Sequence, residues 1–260
     1  MKVLSMENEW TILPWNTFLL YSLIGFFAQI IDGSMGMAYG VITNSLLLSV
    51  GISPLTASAS VHVSKVFTTL ISGLSHLKFK NVHKGIIKNL IIPGVLGGIA
   101  GAYLLFKVSG DVLQPIIGGY LLIMGICIFI KAFNRKPGFE FRKIHYLILG
   151  WFGGFFDAIG GGGWGPIVTS TLLSQDEAPR KIIGSVNIAE FFVSFAQSLF
   201  FIAGIGLMPL DIVIGLIIGG AIAAPIAAYL TAKIPTKLMY FVIGAIIILM
   251  QIRLFVQLML

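Results

Sequence analysis

Along the chain, apolar residues come in ten runs separated by short polar or glycine-containing interruptions. They fall at about 14–31, 38–50, 54–75, 85–106 and 112–132, and again at about 145–157, 164–174, 179–204, 208–232 and 236–259. Several approach the ~20 residues that a helix needs to cross a bilayer. In each set of five the second run is only about a dozen residues long, too short for a straight helix to cross a ~30 Å hydrocarbon core. The pattern predicts an all-α integral membrane protein with eight to ten transmembrane segments and short or broken helices at glycine-rich motifs. It forms a single transmembrane domain over 1–260: one repeat at about 14–132, a basic cytoplasmic linker at about 133–144, and a second repeat at about 145–259.

The interruption is sharpest at Asp157-Ala158-Ile159-Gly160-Gly161-Gly162-Gly163-Trp164-Gly165-Pro166. An acid and five glycines stand between two apolar runs, and Pro is suited to the first turn of a helix. The stretch reads as helix, unwound backbone, helix start. Inside a membrane such a break is tolerated only where protein buries it or it lines a cavity. The helix start behind it presents amide N–H groups with partial positive charge.

The two sets of runs are copies. Shifted by 125 positions, Asp32 falls on Asp157, Gly36 on Gly161, Gly40 on Gly165, Ser45 on Ser170, Pro54 on Pro179 and Ser60 on Ser185. After one inserted residue, Ala102-Tyr103-Leu104 meets Ala228-Tyr229-Leu230 and Gly118 meets Gly244. Shared apolar composition does not align an acid, glycines, a proline and serines in one register.

Composition agrees with the membrane reading. Apolar residues make up 57% and charged residues 10%, against about 25% charged in soluble domains. The net charge of +7 does not point to nucleic acid, because the basic residues gather in short loops. Lys78, Lys80, Lys84 and Lys88 mark one cytoplasmic loop, and Lys131, Arg135, Lys136, Arg142 and Lys143 another. The corresponding loop of the second half, 204–209, carries no charge. The halves are therefore expected to face opposite ways, with both termini outside, as in transporters built from inverted repeats. Residues 1–13 hold no signal-peptide apolar core, so the first segment is expected to be retained. Cys127 alone supplies no disulfide, and no metal or cofactor framework is present in the pattern.

Candidate chemistry lies in the breaks and in the third segment of each half. Gly36, Tyr39, Gly40 and Asn44 in the first half, with Gly160–Gly165, Trp164 and Thr169 in the second, are expected to line a substrate site. Tight helix packing is the alternative use of such glycines. Asp32 and Asp157 read either as transport acids or as caps on the following helix. Ser58, His62 and Lys65 share one helical face by i+4 and i+3 spacing. Their repeat mates include Asn187 and Glu190, so Lys65 and Glu190 are mates of opposite sign. His62 and Lys65 are expected to attract an anion while Glu190 exchanges a proton. Gln29 is ambiguous, and Pro93 and Pro225 read as kinks.

With these residues in view, the chain resembles the sulfite exporter TauE/SafE family of prokaryotic membrane transporters. The match is best over Asp157–Thr169, and Gly219-Gly220-Ala221-Ile222-Ala223-Ala224-Pro225 also fits a family pattern. The first motif, Asp32-Gly33-Ser34-Met35-Gly36-Met37-Ala38-Tyr39-Gly40-Val41, has fewer glycines and lacks the proline. The resemblance implies a multi-pass protein of the prokaryotic cytoplasmic membrane that exports small sulfur-containing anions such as sulfite, sulfoacetate or other organosulfonates. The residues by themselves suit a small anion at helix N-termini and a buried Lys, and say nothing of sulfur. Secondary transport by alternating access is the expected mechanism, with the proton as coupling ion. The rivals are an anion channel and an intramembrane aspartyl enzyme that pairs Asp32 with Asp157.

Overall fold

A computed structural model describes residues 15–108, 110–133, 143–173, 178–206, 209–231 and 235–259. The linker at 134–142, with Arg135, Lys136 and Arg142, lies outside them, as do Ser174 and Lys233, and the Ser170 side chain is likewise undescribed. Helix is the only regular secondary structure among the described residues. The helices are α1 (Trp15–Met35), α2 (Tyr39–Ser49), α3 (Pro54–Lys78), α4 (Lys84–Lys107) and α5 (Gly110–Lys131). α6 (Lys143–Gly160) follows, then a π-helical stretch Trp164–Thr169 running straight into α7 (Ser170–Leu172), then α8 (Pro179–Ile205), α9 (Leu210–Leu230) and α10 (Thr236–Met259).

Local chemistry sets the boundaries. Ser53 caps α3 by accepting the Thr56 N–H at 3.2 Å, with Pro54 at the first helical position. α2 has 11 residues, about 16 Å of helix. The structure moves two expected boundaries. α1 continues to Met35 and α6 to Gly160, so Asp32 and Asp157 sit within final helical turns and Gly160 is helical. The unwound segments are only 36–38 and 161–163. Each acid stays helical while its side chain reaches forward to the next helix.

Among the described residues, four helices combine the length and apolarity needed to cross a membrane: Thr17–Met35, Lys84–Lys107, Pro179–Ile205 and Leu210–Leu230. The distribution of polarity is that of a membrane protein. Large apolar side chains such as Phe27, Leu74, Ile92, Phe195 and Ile222 face outward, whereas Gln29, Asp32, His62, Lys65, Asp157, Glu190 and Gln197 are buried. α3 is long enough to span, yet its inward face carries Ser58, His62, Lys65, Thr68, Thr69 and Ser72.

The halves are interleaved. α1 packs on α9 and α4 on α6, so each half's first helix lies on the other half's fourth. Glycines set these approaches. A Cβ at Gly219 would strike the Ser22 carbonyl, and one at Gly97 the Trp151 carbonyl. The repeat mates α3 and α8 pack antiparallel: His62 lies beside Phe201, Lys65 meets Glu190, Ser72 bonds Asn187, and His76 stands at Gly184. α5 and α10 do the same, with Gly118 at Leu254, Gly125 at Ile247 and Gly244 at Phe129.

Candidate functional site

The two unwound segments lie buried and cross each other. Gly40 rests against the Gly161 carbonyl, Gly162 against Val41, and Gly165 against Met37. Gly36 and Gly161 have φ of +68° and +67°, a conformation glycine adopts without strain. Asn44 Nδ2 donates to the Gly160 carbonyl at 2.6 Å, and its repeat mate Thr169 donates through Oγ1 to the Gly36 carbonyl. Each side chain thus satisfies a backbone acceptor left by the other half's break. Asn44 and Thr169, expected to line a substrate site, both give a hydrogen bond to the opposite backbone, while Asn44 Oδ1 stays buried without a partner.

The acids act as caps. Asp32 Oδ1 accepts the Tyr39 N–H at 3.3 Å, and Asp157 Oδ1 accepts the Trp164 N–H at 3.2 Å. The carboxylate seven residues back therefore replaces the missing partner at each helix start. Here the likeness between halves ends. Asp157 also meets Lys65 Nζ through both oxygens, at 3.1 and 3.2 Å, and His62 Nε2 through Oδ2 at 3.1 Å. Lys65 Nζ in turn lies 2.5 Å from Glu190 Oε1. Asp32 Oδ2 has no partner.

His62 is held at both ring nitrogens. Nδ1 lies 2.7 Å from the Ser58 carbonyl, and Nε2 faces Asp157. Both neighbours carry acceptor oxygens. Ser58 Oγ donates to the Ala158 carbonyl at 2.5 Å, which ties α3 to the end of α6. His62, Lys65, Asp157 and Glu190 form a contiguous quartet of ionisable side chains, each at least 98% buried.

The pattern matched over residues 21–254 is that of the family described as Sulfite exporter TauE/SafE. The chain belongs to that family. It is also 42% identical over 244 residues to a protein of Bacillus subtilis strain 168 described as "Probable membrane transporter protein YtnM", covering 90% of this chain and 81% of that one. No solved structure matches the chain. The protein is thus a multi-pass membrane transporter of the TauE/SafE family.

In this TauE/SafE protein the site residues read from the sequence divide into two groups. Gly36, Tyr39, Gly40, Asn44, Gly160–Gly165, Trp164 and Thr169 meet at the crossing of the breaks, and His62, Lys65, Asp157 and Glu190 meet at its edge. Tyr39 directs its hydroxyl to Ser64 Oγ at 3.2 Å, and Trp164 donates Nε1–H to the Val186 carbonyl at 3.3 Å. Asn187 is committed to packing: it accepts from Ser72 and donates to the Ile183 carbonyl at 3.0 Å. Lys65 and Glu190, repeat mates of opposite sign, meet at 2.5 Å, and Asp157 joins them through Lys65 and His62. Asp157 as their common acceptor went unread, as did Gln251, which donates to Ser45 at 2.7 Å and whose polarity in an apolar run was the available signal. Gln197, on the same face of α8 as Glu190, donates to the Gly154 carbonyl at 3.1 Å.

The unequal duties of the two acids give an expected contrast. Asp32→Asn keeps an oxygen for the Tyr39 cap and removes a charge with one unpartnered oxygen. Its melting temperature in detergent should match or exceed that of the parent. Asp157→Asn removes the charge shared by Lys65 and His62 and should melt well below it, since breaking one side of a buried ion pair costs about 3–5 kcal/mol. Equal losses in the two variants would show that the caps, not the cluster, set the stability.

Proposed function

We propose that this protein is a secondary transporter of small anions, with sulfur oxyanions and organosulfonates such as sulfite and sulfoacetate as its substrates. It works as an exporter by alternating access, with the proton as coupling ion. The observation that carries this reading is Lys65, a buried ammonium at the junction of two broken helices and held only by ionisable side chains. Its neighbours are the start of the Trp164 helix and the π-helical backbone that follows, where amides point toward negative charge. The family to which the chain belongs supports sulfur as the chemistry of the substrate.

The antiparallel packing of α3 on α8 and of α5 on α10 supports an inverted pair of five-segment repeats, related by an axis across their contacts. In that arrangement the short α2 and the 164–172 segment enter from opposite sides and meet near the midplane of a prokaryotic cytoplasmic membrane. Rocking one repeat against the other would then expose Lys65 to either face. A proton-sharing aspartyl pair is disfavoured, because Asp157 is occupied by Lys65, His62 and the Trp164 N–H, and Asp32 by the Tyr39 N–H.

The test is a thermal-shift screen of the purified full chain against sulfite, sulfoacetate, methanesulfonate, sulfate, acetate and succinate, followed by flux in proteoliposomes. Ligand at about 100 times its Kd stabilises the bound state by about 2.7 kcal/mol, a rise of several degrees. Sulfite and the sulfonates are expected to give that rise and to move across the bilayer. A response confined to the carboxylates, or to none of the set, would refute the substrate assignment.

A further inference from the structure

The two carboxylates on Lys65 are held in different ways. Asp157 is committed on every side, to Lys65, to His62 and to the Trp164 N–H. Glu190 has Lys65 as its partner through Oε1, while Oε2 is buried with no hydrogen-bond partner. It projects from the middle of α8 on a side chain with three rotatable bonds. One turn along the same helix, Ser194 carries a hydroxyl that is also buried and unpartnered. Glu190 is therefore a carboxylate attached at one atom, with somewhere polar to go.

We infer that Glu190 is a tethered competitor for the anion site: its carboxylate sits on Lys65 in the absence of substrate, and it takes up a proton and withdraws when an anion binds there. This rests on the anion-transport reading above. A carboxylate edge and a small sulfur oxyanion present the same feature to an ammonium, a negative charge spread over oxygens, so the two compete for the same donors.

Charge balance links the two events. Protonation of a Glu190 oxygen removes one negative charge from the cluster, and one monovalent anion restores it. Either event alone changes the net charge of a buried site by one unit, which is strongly unfavourable. One proton, taken up from the aqueous side, accordingly crosses with each monovalent anion, so that export runs down the anion's own outward gradient. The groups facing Glu190 are Lys65 on α3, Asp157 on α6 and Asp32 on α1, with His62 behind Asp157. The lysines of α4 are exposed, and segment 164–172 has no ionisable side chain.

The experiment measures binding of methanesulfonate, whose charge is constant between about pH 5.5 and 8, and of sulfite, to purified full-length wild type, Glu190→Gln and Asp32→Asn. Wild type is expected to bind methanesulfonate up to about tenfold more tightly for each unit of falling pH, the linkage slope for one proton. Glu190→Gln is expected to lose that slope and to bind at pH 8 more tightly than wild type does. Its melting temperature should rise more on adding anion, because the anion then supplies the missing negative charge. Asp32→Asn should keep the slope. In wild-type proteoliposomes an internal pH dye should record one proton per methanesulfonate. An unchanged slope in Glu190→Gln, or loss of binding in a Glu190→Gln protein that remains monodisperse and helical, overturns the tethered-competitor inference alone. Failure of wild type and Glu190→Gln alike to bind either anion at any pH overturns the anion-transport reading and this inference with it.

Discussion

Lys65→Met is expected to be the most damaging single substitution in the interior, lowering stability by about 3–5 kcal/mol and abolishing anion flux. Lys65 Nζ is the shared partner of Asp157 and Glu190. Met fills a similar volume, so the loss comes from charge rather than from a cavity. Without the ammonium, two buried carboxylates are left with no lysine between them. That origin makes a second result predictable. Adding Glu190→Gln to Lys65→Met removes one of the two acids and leaves Asp157 with His62 and the Trp164 N–H as its partners. The double variant should therefore melt above the single one although it carries more substitutions. Melting curves in detergent for the four proteins of this cycle give the coupling directly. Additive losses would mean that Glu190 and Lys65 do not share one electrostatic site.

The second large effect is expected at the crossing of the breaks. A Cβ at Gly40 would occupy the position of the Gly161 carbonyl oxygen. The neighbour is main chain, and it has no freedom to yield. Asn44 ties Gly160 on one side, and the Asp157–Trp164 cap fixes the other. Gly40→Ala must therefore push the two halves apart, at the upper end of the ~1–3 kcal/mol typical of overpacking or beyond it. Loss of flux should accompany the loss of stability, since Lys65 and Asp157 meet only while the crossing is closed. Gly119→Ala provides the comparison. There the added methyl would meet only Phe255 Cζ, at 4.0 Å. That variant should keep its flux and melt within a degree or two of the parent, or slightly above it, as Gly→Ala in a compatible conformation reduces the freedom of the unfolded chain. If Gly40→Ala behaves like Gly119→Ala, the two breaks do not form a rigid junction.

Much of the candidate site was legible residue by residue, and its connections were not. Asp32 and Asp157 stood out as acids placed just before helix starts, and the cap is a local interaction spanning seven positions. Lys65 and His62 stood out as polar residues in an apolar chain, and the repeat register gave Glu190 as the mate of Lys65. The other partners could not be read the same way. Asp157 lies 92 positions from Lys65, and Asn44 lies 116 from Gly160. Helical spacing says which residues share a face, but it does not say which other helix that face meets. The repeat register named Glu190 as the mate of Lys65, but a single helix shows the cation alone, and the packing of α6 on α3 is what adds Asp157.

By itself the sequence determined the order of helices, their lengths to within a few residues, the two short segments and the positions of the breaks. Each of these follows from local physics. Apolar runs need about 20 residues to cross a bilayer, glycine and proline weaken a helix where they stand, and a duplicated register survives in identities that composition alone does not produce. Tertiary structure decided that α3 packs antiparallel on α8, that the breaks close on each other's carbonyls, and that His62, Lys65, Asp157 and Glu190 meet in one cluster. The reason is one of range. Buried charges and unpaired backbone groups must find partners somewhere in the low-dielectric interior, and the crossing of helices far apart in the chain selects which partners those are.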